Sequence, residues 1–171
     1  MLRDAMTADR RFLPAASLHF LLPAYDPIMT LLGFRRALGP LLAQAELRPG
    51  HRVLDLGCGT GTLAVMIKTA HTEVDVTGVD PDPRALERAA RKAARAGVSI
   101  RFDRGFGDPL AYPDATFDRV FSSMMFHHVP RAEKPGVLRE ARRVLKPPGR
   151  LEFLDFDNER LLTLMKDAGF A

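Results

Sequence analysis

Apolar residues in this 171-residue chain come in two spacings. Short, nearly unbroken runs at 52–56, 74–79, 98–102, 117–122 and 150–156 read as buried strands, because a strand covered on both faces has no polar side to alternate with. Over 60–70, 83–96 and 132–145 the apolar positions instead recur at the helical period, marking helices with one inward face. Strand and helix therefore take turns. That order predicts an α/β fold, a doubly wound and mostly parallel sheet in three αβα layers, with right-handed crossovers and a ligand crevice at the carboxyl ends of the strands. Upstream, Pro27, Ile28, Leu31, Leu32, Phe34, Leu38, Leu41, Leu42 and Ala45 give helical spacing over 27–46, with an interruption expected near Gly39-Pro40. Residues 1–24 read as irregular, and no internal repeat is present. The length fits a single domain, in which residues 1–50 form a helical cap on a core of 51–171.

The helix at 83–96 is expected to turn Leu86, Ala89, Ala90, Ala93 and Gly97 inward, with Gly97 ending it, and to turn Arg84, Arg88, Arg91, Lys92 and Arg95 outward. The formal charge of +4 and pI near 9.6 keep a nucleic-acid partner in view. These basic residues lie on an outer helix face with no interleaved aromatics to stack bases, so they read as a solvated surface and nucleic acid is not an expected partner. With 46% hydrophobic residues the chain can bury a sizeable core. Arg10-Arg11-Phe12-Leu13 resembles an export signal, but Pro14, His19 and Pro23 break the apolar run that would follow. No stretch approaches the ~20 apolar residues of a membrane span. The single cysteine, Cys58, excludes an internal disulfide framework and fits a reducing compartment, so a cytoplasmic location is expected.

The chemistry concentrates at Val53-Leu54-Asp55-Leu56-Gly57-Cys58-Gly59-Thr60-Gly61, an apolar strand that runs into a glycine-spaced turn. Glycines there allow a tight turn and a close approach of backbone to ligand. Asp80 ends the next apolar run about 20 residues on, where an acid at a strand tip can accept hydrogen bonds from both hydroxyls of a ribose. The chain is therefore expected to hold a nucleoside. Thr62 stands where a dinucleotide fingerprint requires its third glycine, which argues against a pyrophosphate ligand. Cys58 reads as a small filler within the loop rather than a nucleophile, since no matched histidine and acid accompany it there.

The run from Asp55 to Thr62 resembles motif I of the class I S-adenosylmethionine-dependent methyltransferases. Gly105 to Val129 is similar to motifs II and III of the ubiquinone/menaquinone biosynthesis type, and Arg139 to Leu151 to that type's turn into strand five. The resemblance implies a Rossmann-like methyltransferase fold and S-adenosylmethionine as cofactor. It implies that the loop residues Asp55, Gly57, Cys58 and Gly59 pass under the methionine part, that Thr60 meets the amino-acid end, that Asp80 beside Pro81 meets the ribose, and that Ser123 lies near the methionine moiety. Tyr25-Asp26 is similar to an N-terminal pair that leads into a helix covering the cofactor. Two positions depart from the pattern. Phe106 stands where an acid or amide usually reaches the adenine, so Phe106 is expected to stack on the purine and the Gly107 amide to bond a ring nitrogen, with Asp108 as a substitute if the loop shifts. Pro148 replaces a glycine, fixing φ and removing a donor locally.

A sulfonium methyl is already activated, so holding an acceptor in line supplies about 7–11 kcal/mol of the barrier and a catalytic side chain is optional. For an acceptor that must lose a proton, His127 and His128 are the candidate bases because both follow strand four at the crevice; His127 is preferred. No residue group has metal-ligand spacing, so no metal is expected. The favoured function is methyl transfer to a small-molecule acceptor. A nucleic-acid or protein methyltransferase and a non-catalytic cofactor-binding module are the alternatives, and a homodimer stays open. In the family a helical segment separates the Leu-Asp-Phe at 154–156 from a run like 157–170, and two more strands follow. The C-terminal strands are expected to be missing, and a break in the chain is expected at Asp157, through omission of residues or, less favoured, because the protein is short.

Overall fold

The protein is described by a computed structural model over residues 34–155 and 159–170. Five strands, β1 (Arg52–Leu56), β2 (Asp75–Asp80), β3 (Arg101–Arg104), β4 (Phe117–Ser123) and β5 (Leu145–Leu154), pair in parallel in the order β3-β2-β1-β4-β5. Helices α1 (Phe34–Gln44), α2 (Thr62–Ala70), α3 (Pro83–Arg95), α4 (Lys134–Val144) and α5 (Glu159–Asp167) surround them, and a 3-10 turn spans Phe126–His128. β1 takes the centre because Val53 to Leu56 are all enclosed. Successive residues of a strand face opposite sides of a sheet, and here they enter different cores. Val53 and Phe121 join Leu38 and Leu41 of α1, Ala45 just past its end, and Leu63, Ala64 and Ile67 of α2. Leu54, Leu56 and Val120 join Val137, Leu138, Ala141 and Val144 of α4. The result is the expected three-layer α/β architecture. The strand order reverses between β1 and β4, and the crevice at their carboxyl ends is where such sheets hold ligands.

Several elements differ from the sequence expectation, each for a local reason. α1 continues through Pro40. The missing amide leaves the carbonyl of Arg36 without its helical donor, and both residues lie on the exposed side, where water can serve instead. β3 begins at Arg101 rather than 98 because the end of α3 uses the intervening backbone. Gly97 has φ +68, its amide donates to the Ala94 carbonyl, and the Val98 amide donates to Ala93. β5 begins at Leu145, not 150, and bulges: Phe117 pairs with Leu145, but Arg119 already pairs with Arg150. Lys146 in the bulge donates to Asp118 at 2.8 Å, and that carboxylate also takes the Arg52 amide at 2.8 Å, fastening the bulge to the central strands. Pro148 lies inside this bulge.

α3 turns inward through Ala85, Ala89 and Ala93, not through Ala90, which is exposed. Lys92 is half-buried rather than outward. The alanine stripe has a purpose in packing: a Cβ on Gly61 would come within 2.7 Å of the Ala89 Cβ, so α3 lies directly against the glycine loop. β5 is the last strand in the sheet among the described residues. The expected break at Asp157 falls on 156–158, and Tyr25 and the 27–33 part of the first helix fall before 34; all lie outside the described residues.

Gly59 and Gly61, two of the three loop glycines, separate backbone strain from packing. Both have positive φ, but among the described residues a Cβ on Gly59 meets nothing within 4 Å, whereas one on Gly61 meets Ala89. Gly59→Ala is expected to cost about 1 kcal/mol for the left-handed conformation, and Gly61→Ala about 1–3 kcal/mol more for overpacking. Equal denaturant midpoints for the two variants would contradict this packing.

Candidate functional site

The glycine loop leaves β1 at Leu56 and is tied at once to its neighbour strand. The amides of Gly57 and Cys58 both donate to the Val79 carbonyl, at 2.9 and 3.0 Å. One carboxylate oxygen of Asp80 accepts the Gly59 amide at 2.9 Å, and the other accepts the Asp82 amide at 2.9 Å. Asp80 thus sets the crest of the loop and the entry to α3 together. Burial raises its carboxyl pKa, and the two amide bonds oppose that rise. Pro81 follows, with its carbonyl accepting from Arg104.

Behind the loop, Asp55 is 1% exposed, and its carboxylate accepts the Ala64 amide at 3.1 Å. This bond fastens the start of α2 to β1, so Asp55 acts from beneath the loop. Burial pushes its pKa from the ordinary 3.8 to about 7, against the lowering effect of the Ala64 amide. Lys92 reaches from α3 to the hydroxyls of Thr60, at 3.1 Å, and Thr62, at 2.7 Å. An ammonium therefore supports the loop at the position the sequence assigned to the cofactor's amino-acid end. The Cys58 thiol packs over β2, where a Cβ on Gly78 would lie 2.9 Å from its sulfur, and burial pushes its pKa well up. Both facts suit a filler and not a thiolate nucleophile.

Phe106 and Gly107 follow β3 and are half-buried. Gly107 backs onto α4, since a Cβ there would meet Val137 at 3.0 Å. Asp108 is laid against Gly136 so closely that a Cβ on that glycine would overlap its carboxylate. This places the carboxylate at the amino-terminal turn of α4, where the helix dipole favours negative charge. Ser122 and Ser123 close β4. Met125 lies over the loop, since a Cβ on Gly57 would overlap its side chain. The 3-10 turn that carries His127 therefore begins directly above the glycine loop.

His127 has a partner that sequence reasoning did not assign. Asp155, just past the end of β5, holds its Oδ1 2.7 Å from His127 Nδ1. Its Oδ2 accepts the Phe126 amide at 2.8 Å and the His127 amide at 3.3 Å. The Asp155 side chain is 3% exposed and that of His127 31%. His128 packs on His127 with ring centroids 4.0 Å apart, and burial lowers its pKa. The only sequence sign of Asp155 was an acid ending an apolar run, the same sign that marked Asp80. Lys92 carried no sign, because helical phase alone put it outside. Among the described residues no helix is long and apolar enough to cross a membrane, and no group of three or more His, Cys, Asp or Glu could hold a metal.

Comparison with known proteins gives a consistent result. A family profile described as a methyltransferase domain matches residues 53–149. The 27-O-demethylrifamycin SV methyltransferase of Amycolatopsis mediterranei is 42% identical over 118 residues, covering 68% of this chain and 42% of that protein. The demethylmenaquinone methyltransferase of Deinococcus radiodurans is 38% identical over 140 residues, covering 78% of this chain and 56% of that protein. The chain spans about half the length of these curated relatives. The crystal structure of the YcgJ protein from Bacillus subtilis superposes with a TM-score of 0.62 at 35% identity, covering 68% of this chain and 49% of that one.

The raised pKa of Asp55 has a consequence for stability. A carboxyl whose folded pKa lies above its unfolded value favours folding below about pH 4, and that contribution is lost as pH rises through about 7. Asp55→Asn can still accept the Ala64 amide but does not ionise. Its stability relative to the original chain should therefore rise between pH 4 and 7 and level off above, as read from denaturant midpoints across that range. A constant difference would show that Asp55 titrates alike in the folded and unfolded chain, contradicting the raised pKa.

Proposed function

This chain belongs to the methyltransferase domain family, and from that premise we propose that it transfers a methyl group from S-adenosylmethionine to a small-molecule acceptor. The observation that carries this reading is the glycine loop held by Asp80 at the tip of the adjacent parallel strand. Among the described residues nothing lies within 4 Å of a Cβ placed on Gly59, which leaves room for a ligand at the crest of the loop. Asp80 spends one amide bond on each carboxylate oxygen, and each oxygen keeps a lone pair for a ribose hydroxyl. Gly57, Cys58, Gly59 and Thr60 would follow the methionine part, with Asp55 fixing the loop from below. Pro81 would flank the ribose, Phe106 and Gly107 the adenine, and Ser123 the methionine end. Residues 1–50, with Tyr25, would cap the crevice.

When bound, the cofactor supplies a methyl on a sulfonium, which leaves with its electron pair on sulfur as the acceptor bonds to carbon. The protein's part is to hold the acceptor in line and, through His127, to take its proton. The relatives named for 27-O-demethylrifamycin SV and demethylmenaquinone support a small acceptor over a nucleic acid or protein. The single cysteine, kept as a thiol, supports a cytoplasmic location.

Calorimetric titration with S-adenosylmethionine, and separately with its demethylated product, should give one site per chain. Asp80→Ala should weaken both by about 1–3 kcal/mol, the cost of leaving buried hydroxyls unpaired. No heat with either nucleoside, or unchanged affinity in the variant, would sink the assignment. His127→Gln should lower turnover while cofactor affinity holds, since a base acts in the transition state. Equal turnover would leave orientation alone as the mechanism.

A further inference from the structure

We infer that Asp155 is a positioning residue that fixes His127 as the tautomer protonated at Nδ1, so that Nε2 is the proton acceptor for a hydroxyl group of the methyl acceptor. This rests on the methyl-transfer reading above. Its geometry comes from two distant parts of the chain: His127 follows β4, and Asp155 follows β5, which pairs with β4 through Ser123 and Leu154. The carboxylate is almost wholly enclosed, and its two oxygens have separate tasks. Oδ2 accepts the amides of Phe126 and His127 and so sets the 3-10 turn. Oδ1 faces Nδ1 at 2.7 Å, a short distance typical of a charge-assisted bond, and an ionised carboxylate can only accept. Nδ1 must therefore carry the hydrogen, and the lone pair of the neutral ring lies on Nε2.

This arrangement suits an oxygen acceptor. The O–H bond breaks as its proton moves to Nε2, and the electron pair left on oxygen forms the bond to the methyl carbon. The ring becomes an imidazolium whose charge faces the Asp155 carboxylate, and the proton then passes to water. The His128 ring lies 4.0 Å from that of His127, tilted by 42°, and burial lowers its pKa, which disfavours a second cation beside the imidazolium. Lys134 lies over the Phe126 ring, 5.0 Å from its centre.

Asp155→Asn separates this role from a structural one. The backbone amides still require an acceptor at the Oδ2 position, so the carboxamide oxygen must take it and the NH2 must face Nδ1. The cap is kept, but the ring is forced to carry its hydrogen on Nε2. The decisive experiment is nitrogen-15 NMR of the histidine rings in the chain at alkaline pH with S-adenosylhomocysteine added, with His127→Gln to identify the signals. Nδ1 protonation in the original chain and Nε2 protonation in Asp155→Asn are expected, with unchanged thermal midpoints. Nε2 protonation in the original chain, or no change in the variant, overturns the positioning role whether or not methyl transfer occurs. Menadiol, which offers hydroxyl groups beside a free ring carbon, tests the acceptor atom. A methyl ether is expected, formed about 100-fold or more slowly by Asp155→Asn at equal cofactor KM. A ring-methylated product, or no ether from a chain that binds the cofactor, overturns the oxygen assignment.

Discussion

The Asp80 carboxylate is the constraint on which the site depends. A chain that turns through Gly57, Cys58 and Gly59 leaves β1 with amide groups that must find acceptors, and one acid on the adjacent strand holds both the crest of that turn and Asp82, the residue that caps α3. Hydrogen bonds to an ionised group contribute about 1.5–3 kcal/mol each. The same burial that makes them strong also raises the pKa of the carboxyl. Asp80 therefore serves two ends, local order in the loop and a remaining acceptor surface toward the crevice.

The rest of the crevice follows from what must lie beside that loop. Ala89, in the buried alanine stripe of α3, is small where Gly61 brings the loop against the helix. Asp55 is buried because the start of α2 needs an acceptor beneath the loop, and its raised pKa is the consequence. Lys92 adds a cation where two threonine hydroxyls cluster. On the other side of the reversal in strand order, Asp155 treats the 3-10 turn much as Asp80 treats the glycine loop: one buried acid at a strand end organises two backbone amides and still presents a working oxygen. The two halves of the crevice are built on a common device, directed at a nucleoside in one and at a proton in the other.

Much of this was legible in the sequence because the central strands are apolar without interruption. β1 lies over 52–56 as its pattern requires, and β2 and β4 fall within a residue of theirs. The misplacements arose where backbone bonding, not side-chain polarity, sets the boundary. Val98 is apolar yet closes α3, and Lys146-Pro147-Pro148-Gly149 reads as a turn yet forms a bulge within β5. Lys92 and Ala90 exchanged places with expectation because the helical phase was counted from Leu86, a half-buried flank, rather than from Ala85. His127 was visible as a histidine after a buried strand, but Asp155 lies 28 residues further on, and only the pairing of β4 with β5 brings the two together.

A crystal structure of the chain with S-adenosylhomocysteine tests the central claim most directly. The account predicts both ribose hydroxyls within hydrogen-bond distance of Asp80 while its bonds to the Gly59 and Asp82 amides persist, with the sulfur on the side of the crevice that carries His127. A nucleoside seated elsewhere, or an Asp80 carboxylate turned away from the ribose, would contradict it.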